Sequence, residues 1–515
     1  MITENSFPFL SLVTVLPLLG ALLIGVCQPR RAKPIALVMA IVELLLTLLV
    51  LNRFDAHSGG FQLLEHYAWM PSLHISFIFG VDGMSVLFLP LSALLTLVTV
   101  LACWNSIQHL GRLHFALLLA LEGITMGVFL ALDTLFFFLF WELTLPPIFF
   151  LAGLWGMGPK RRGAAMKYTL FMLFGSVPLF FAFVILAINH ANQYGGNIPE
   201  NLTFNLITLM DTQVPYHLQT IVFLLLLSGF AIKAPLVPFH TWLPTTTMEA
   251  PTQLSAILTG LKLGVFGILR YTMQLTPAAA VELSWILGIL GAITLIYAAL
   301  IALQQTNLRR LLAYASISHV GLVIIGISTL NSQGIQGAIF QLINFSLMSS
   351  ALMLITGFIQ YRLGSSELVH LGGLAKSMPK LTSFFLLFTV ASIGMPGTSG
   401  FPAELLLIIG AMNAHPSLAI TAVVGAIFTA AYSLSVFRQA FLGPVKQDSV
   451  LQARDLNKRE LGLLCLPALL VLFWGIFPNT LLKLNKSATD VWLNRMATPA
   501  FFVKNDNLGV KLNDH

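Results

Sequence analysis

The sequence predicts an all-α polytopic membrane protein of about fourteen transmembrane helices. Three observations predict it. Of 515 residues, 57% are hydrophobic and only 9% are charged, whereas a water-soluble chain carries roughly 25% charge. The mean hydropathy of +0.87 describes a surface solvated by lipid. The apolar residues fall into runs long enough for a hydrocarbon core about 30 Å thick, which needs about 20 residues per helix.

The runs lie at 8–27, 35–51, 84–103, 114–131, 134–155, 167–188, 219–239, 249–274, 280–303, 307–330, 334–359, 380–413, 416–442 and 460–482. The first lacks a basic n-region and a small-residue cleavage site, so it reads as a retained helix and not as a signal peptide. Two runs are broken. The seventh contains Lys233, Pro235 and Pro238; the twelfth contains Gly394, Pro396, Gly397, Gly400 and Pro402. A bilayer tolerates such residues only where protein or water satisfies the freed backbone groups, and a broken pair in separate halves of a chain points to an ion path. Residues 481–504 read as an amphipathic piece along the membrane surface.

Loops after odd-numbered spans are rich in cations, among them Arg30, Arg31, Lys160, Arg161, Arg162, Arg309, Arg310, Lys446 and Arg459; those after even-numbered spans hold only Arg53 and Arg270. The positive-inside rule places the odd loops in the cytoplasm and both termini opposite. The net charge of +7 therefore sets orientation and does not imply a nucleic-acid partner. Cys27, Cys103 and Cys465 lie far apart in or beside apolar runs, a pattern of small buried hydrophobes without a metal or disulfide framework.

Charges inside spans carry the chemistry. Each costs roughly 2.5–3.5 kcal/mol at a helix centre, so it persists where it pairs, lines water or conducts. Glu142, Lys233, Lys262 and Glu404 are the functional candidates; Glu43, Glu122 and Glu282 read equally well as caps or snorkelling acids, and the depth of Asp133 and Glu249 depends on where their spans end. His319 in the tenth span and His240 just past the broken seventh are relay candidates, because histidine titrates near neutrality; the alternatives are a hydrogen-bonded core histidine and an interfacial one. An ion pair at about 4 Å is worth roughly 4 kcal/mol at an effective dielectric of about 20, and moving a charge across 100 mV is worth about 2.3 kcal/mol. Opening and closing a Glu–Lys pair is thus matched to moving a proton. The chain shows no GxGxxG loop in a strand–helix setting, no Walker lysine and no HExxH, so any flavin, cluster, quinone or nucleotide is expected on partners.

Several segments together resemble the antiporter-like subunits of complex I: Gly80-Val81-Asp82-Gly83-Met84-Ser85, Phe140-Trp141-Glu142-Leu143, Ala231-Ile232-Lys233-Ala234-Pro235, His240-Thr241-Trp242-Leu243-Pro244, Glu249-Ala250-Pro251-Thr252, Leu261-Lys262-Leu263-Gly264, Ala313-Tyr314 with Ser318-His319, and Pro396-Gly397-Thr398-Ser399-Gly400-Phe401 leading to Glu404. They span nearly the whole chain in order. The first favours chain 4 of the cyanobacterial and chloroplast NAD(P)H–quinone oxidoreductase. The resemblance implies a single antiporter-like domain over 1–482 followed by a polar tail at 483–515. Within the domain it implies two inverted five-helix repeats, 113–274 and 280–442, each with a broken helix. It implies a proton-translocating subunit of a redox enzyme, with Glu142 and Lys233 as a coupled ion pair, Lys262 and His319 as a central relay, Glu404 as the terminal group, and His240 and Glu249 as auxiliaries. No cofactor or metal is expected in this chain. Quinone, iron–sulfur clusters and the electron donor, NAD(P)H or ferredoxin, would be bound by other membrane and peripheral subunits. A cyanobacterial thylakoid membrane is the expected location, with a cytoplasmic membrane as the alternative.

Two departures stand out. Thr245, Thr246, Thr247 and Met248 replace the family's usual Asp-Ala-His-Gly, and Phe345 replaces a histidine. Both suggest a specialised paralogue, such as a carbon dioxide-uptake form with a carbon dioxide-hydrating partner. Past Phe345 the path would need water and the hydroxyls of Ser346, Ser349 and Ser350. The rival readings are a multisubunit cation/proton antiporter and a non-conducting scaffold subunit.

Overall fold

The computed structural model describes residues 7–498. Helices α1 (Phe9–Val26) and α2 (Ala32–Arg53) come first. A hairpin of β1 (Gln62–Met70) and β2 (Ile75–Val81) follows, then α3 (Phe88–Ala102) and α4 (Gly111–Leu130). Helices α5 (Thr134–Leu143) and α6 (Leu145–Trp155) share one crossing with a hitch at Thr144, and α7 (Arg161–Gln193) makes the next. After the short α8 (Leu206–Asp211), α9 (Tyr216–Lys233) stops at its lysine and α10 (Trp242–Glu249) lies beyond the break. Helices α11 (Thr252–Gly260) and α12 (Leu263–Gly267), a π-helical turn at Ile268–Thr272 and α13 (Met273–Leu275) form the eighth crossing. The chain continues through α14 (Pro277–Glu282), α15 (Ser284–Leu303), α16 (Leu308–Ser328), α17 (Ser332–Leu363) and α18 (Leu374–Ser377). The second broken crossing is α19 (Pro379–Ser392) with α20 (Gly400–Ala414). Then come α21 (Pro416–Phe437), α22 (Asp448–Gln452), α23 (Lys458–Ile476) and α24 (Asn479–Ala497).

Among the described residues, twelve segments are long and apolar enough to span. With α3 and the broken α19–α20 crossing they make fourteen. Burial locates the centre of the bundle: α16 is 100% and α17 94% buried over their apolar windows, against 39% for α1 and 28% for α2. The charges on or beside α16 and α17 therefore sit deepest in protein, and α1 and α2 face lipid.

Hydrogen bonds between loops sort them onto two ends. At one end Arg112 Nη1 donates to Cys27 O, Trp155 Nε1 to His109 O, Arg309 Nη2 to Ala250 O and Lys446 Nζ to Leu368 O. At the other, Ser76 N donates to Asp133 Oδ2, Thr134 N to Phe204 O and Ser487 Oγ to Ala56 O. This is the alternation that the cation asymmetry requires. Two cations assigned to loops belong elsewhere. Arg270 is buried in the π-helical turn of the eighth crossing, where both its terminal nitrogens bond the Asp82 carboxylate. Arg309 is buried in the first turn of α16 and donates to Thr247 O and Ala250 O. Removing both leaves Arg53 alone among the cations of the even loops, so the loop asymmetry stands, although α24 brings Lys483, Lys486 and Arg495 to that end.

The hairpin adds strand to a fold expected to be wholly helical. Strand β1 carries Tyr67 and Trp69, and β2 carries Ile75, Phe77, Ile78, Phe79 and Val81, residue types that favour strands; Phe77 stacks edge-on against Phe136 of α5 at 4.2 Å. Glu65 on β1 caps α1, accepting from Leu10 N at 2.7 Å and Ser11 N at 2.9 Å. Helix α24 runs through the expected boundary at 482. Its apolar stripe of Leu481, Ala488, Trp492 and Met496 is buried, and Trp492 Nε1 donates to Leu269 O at 3.2 Å. It docks on the bundle end and does not lie free along lipid. The rest of the expected tail, 499–515, lies outside the described residues.

Candidate functional site

The eighth crossing is broken as well as the seventh and twelfth, and each break places a charge. Helix α9 ends at Lys233 because Pro235 and Pro238 cannot donate to the ladder. The freed Ile232 carbonyl accepts from Trp242 Nε1 at 2.8 Å. The eighth crossing opens at Leu261 and Lys262, where ψ is 121° and φ, ψ are −106°, 57°. Ser346 Oγ closes that gap by donating to Gly260 O at 2.7 Å. Gly264 fits the two breaks together: a Cβ there would meet Ala234 Cα and Lys233 C at 2.7 Å. In the twelfth crossing Gly394 has φ +76°, a left-handed conformation that glycine adopts without strain, and a Cβ on it would meet Glu404 Oε2 at 2.6 Å.

Glu142 and Lys233 lie on facing elements but form no direct ion pair. Ser176 Oγ donates to Glu142 Oε1. Lys233 Nζ donates to Thr144 Oγ1 at 2.8 Å and to Trp141 O at 3.3 Å, and it sits 3.9 Å from the centre of the Trp141 ring. The pair is thus in an open arrangement, with each charge held by neutral groups within electrostatic reach of the other.

A cavity of about 40 Å³ joins Thr125, Thr144, Tyr168, Lys233 and Leu261. A water needs about 10–15 Å³ measured this way, so it holds about three. It leads from Lys233 towards the Lys262 break. Lys262 is 6% exposed; its Nζ donates to Ser316 Oγ and lies 5.9 Å from the Phe345 ring centre. One turn along α16, His319 shares a 3.2 Å hydrogen bond between Nδ1 and Gln341 Nε2. Its Nε2 has no partner.

Gln341 is the residue that sequence reasoning missed. Besides His319 it stands near enough to Glu404 to act on its carboxyl, and its Oε1 accepts from Asn344 Nδ2 at 3.0 Å. Asn344 Oδ1 in turn accepts from Ser399 Oγ at the twelfth-crossing break. Two amides, Gln341 and Asn344, in the middle of a membrane span were the available signal. The serines expected to bridge do something else: Ser346 and Ser350 donate to the Gly260 and Ala256 carbonyls. Ser349 alone of the three lines a second cavity, of about 20 Å³, with His319, Phe345, Thr389, Ser392 and Tyr432. That is room for one water. Phe345 stacks on His319, with ring centres 4.2 Å apart.

The other candidates lie apart. His240 is buried beside Tyr297 and Tyr314. Glu249 accepts from Lys160 N at 2.8 Å and ties the loop after α6 to α10. The structure does not bring Glu249 to the central row. Asp133 caps α5, accepting from Leu135 N and Phe136 N. Glu282 is exposed and accepts from Tyr216. Among the described residues no three His, Cys, Asp or Glu side chains gather as metal ligands.

Comparison with known proteins gives a consistent set. The family model described as NADH:quinone oxidoreductase/Mrp antiporter, TM matches residues 131–429. NADH-quinone oxidoreductase subunit M of Rickettsia conorii is 35% identical over 486 residues, covering 92% of this chain and 97% of that protein. NAD(P)H-quinone oxidoreductase chain 4 1 of a Synechococcus strain is 37% identical, covering 92% and 90%. A chain of respiratory complex I from Thermus thermophilus with bound NADH superposes with a TM-score of 0.86 at 30% identity, covering 95% and 99%. A chain of the Mrp complex from Dietzia shares the fold, with a TM-score of 0.82 at 21% identity.

Proposed function

Because the chain belongs to the NADH:quinone oxidoreductase/Mrp antiporter transmembrane family, we propose that it is a proton-translocating membrane subunit of a quinone oxidoreductase and that Glu142, Lys233, Lys262, His319 and Glu404 carry the proton. The observation that supports this reading is continuity. Each gap along the row contains a hydroxyl, an amide or room for water: Thr144 and the 40 Å³ cavity between Glu142 and Lys262, Ser316 beside Lys262, and Gln341, which bonds His319 and stands near Glu404. Proton hops need hydrogen-bond reach or one intervening water.

Closing the Glu142–Lys233 pair would hold a proton on Lys233. Releasing Glu142 to Ser176 and Lys233 to Thr144 frees that proton to leave through the cavity. The energies are matched, roughly 4 kcal/mol for the pair against about 2.3 kcal/mol per charge per 100 mV. Electrons would arrive through other subunits. Glu142→Gln and Lys262→Met test the reading together, since each keeps the size of the side chain and removes its charge. Assembled complexes should keep electron transfer to quinone and lose most proton translocation per electron; unchanged pumping refutes the role.

A second reading concerns the form of the complex. The threonine run at 245–247 and Phe345 favour a variant specialised for carbon dioxide uptake in a thylakoid membrane. Co-purification with a carbon dioxide-hydrating subunit is the expected result; a complex of respiratory subunits alone, in a cytoplasmic membrane, overturns it.

A further inference from the structure

Two carboxyls among the first four crossings take no part in the row. Glu43 lies midway along α2 and Glu122 in the second half of α4, and these helices pack directly on one another. They are 0% and 3% exposed. None of the four carboxyl oxygens has a hydrogen-bond partner, and the charge of Glu43 acts on Glu122.

The surroundings supply no counter-charge. Helices α1 and α3 and strand β2, which pack against the pair's helices, carry no ionisable side chain. Lys33, Arg53 and Arg112 sit at helix ends: Lys33 Nζ donates to Trp104 O at 2.7 Å, Arg53 lies over the Phe9 ring, and Arg112 donates to Cys27 O. Arg30 and Arg31 are exposed before α2. His114, near the start of α4, contacts Cys103 Sγ and the Trp155 ring. On α5, Glu142 is held by Ser176; α6 has no charge.

Two ionised carboxylates buried on packed helices would repel each other and forgo hydration without compensation. A hard cation needs more oxygens than two carboxylates supply; calcium takes six to eight. One proton meets the constraint, because it leaves a single charge where two would repel. We propose that Glu43 and Glu122 share one exchangeable proton and form a protonation site lateral to the Lys233 cavity. Leu121 and Thr125 of α4 line that cavity, and Glu122 stands about 60° round the helix from Thr125, at its edge. The site holds whether or not the row conducts.

The test uses the assembled complex in its own membrane and dicyclohexylcarbodiimide, an apolar reagent that adds to protonated carboxyls. Mass spectrometry of peptides should find one adduct per chain, shared between Glu43 and Glu122, diminishing as pH rises and indifferent to sodium. Glu43→Gln should move all of it to Glu122. Infrared spectra should show a protonated-carboxyl band that shifts in D₂O and is lost in the Glu43→Gln/Glu122→Gln double variant. Protection by sodium overturns the proposal in favour of a cation site. Double adducts, or neither adduct nor band in the unmutated complex, overturn it outright; those readings need no variant to fold.

Discussion

Gln341→Leu tests whether the buried amide on α17 holds the second half of the row together. The substitution puts an apolar side chain of similar volume in its place and removes the partner of His319 Nδ1 at 3.2 Å, the acceptor of Asn344 at 3.0 Å and the polar group nearest Glu404 on α17. Each buried polar group left unsatisfied costs about 1–3 kcal/mol, so the local structure loosens measurably. The effect on transfer has two independent estimates. An unsupported charge within a span costs roughly 2.5–3.5 kcal/mol, and at about 1.4 kcal/mol per factor of ten that slows the step on the order of 10²-fold. Misplacing reacting groups by about 1 Å costs a similar factor. Proteoliposomes containing the whole complex, with a pH-sensitive dye inside, report protons moved per electron. The ratio should collapse in Gln341→Leu, while Gln341→Glu, which retains an acceptor for Asn344, should recover much of it. A Gln341→Leu complex that assembles and pumps at the unmutated ratio refutes the argument and moves the path away from α17.

The Asp82–Arg270 pair should behave as a structural clamp: Asp82→Asn leaves a buried guanidinium uncompensated and should cost about 3–5 kcal/mol, read as lower thermal stability of the complex, with part of the loss recovered in a double variant that also neutralises Arg270. A single variant as stable as the parent would remove that role. For topology, cysteines replacing the exposed Met157 and Ile198 should react with an impermeant thiol reagent from opposite faces of the membrane; labelling of both from one face would contradict fourteen crossings.

Composition and run length determined the membrane fold, the number of crossings and the two breaks at proline and glycine, because insertion into lipid depends on the apolarity of each segment, a one-dimensional property. The same cost of burial exposed Glu142, Lys233, Lys262 and Glu404 as residues that need a reason to be there. What lies opposite each of them was decided only in three dimensions. The Lys262 break has no proline to announce it; it exists because Ser346, 86 residues along, satisfies the Gly260 carbonyl. Arg270 read as a loop cation until its partner Asp82, 188 residues away, became visible. Phe345 read as a gap in the row, yet the neighbouring Gln341 bonds His319 and stands near Glu404. Hydrogen-bond partners across crossings depend on helix rotation and register, which apolar periodicity leaves undetermined when a helix is buried on every side, as α16 and α17 are.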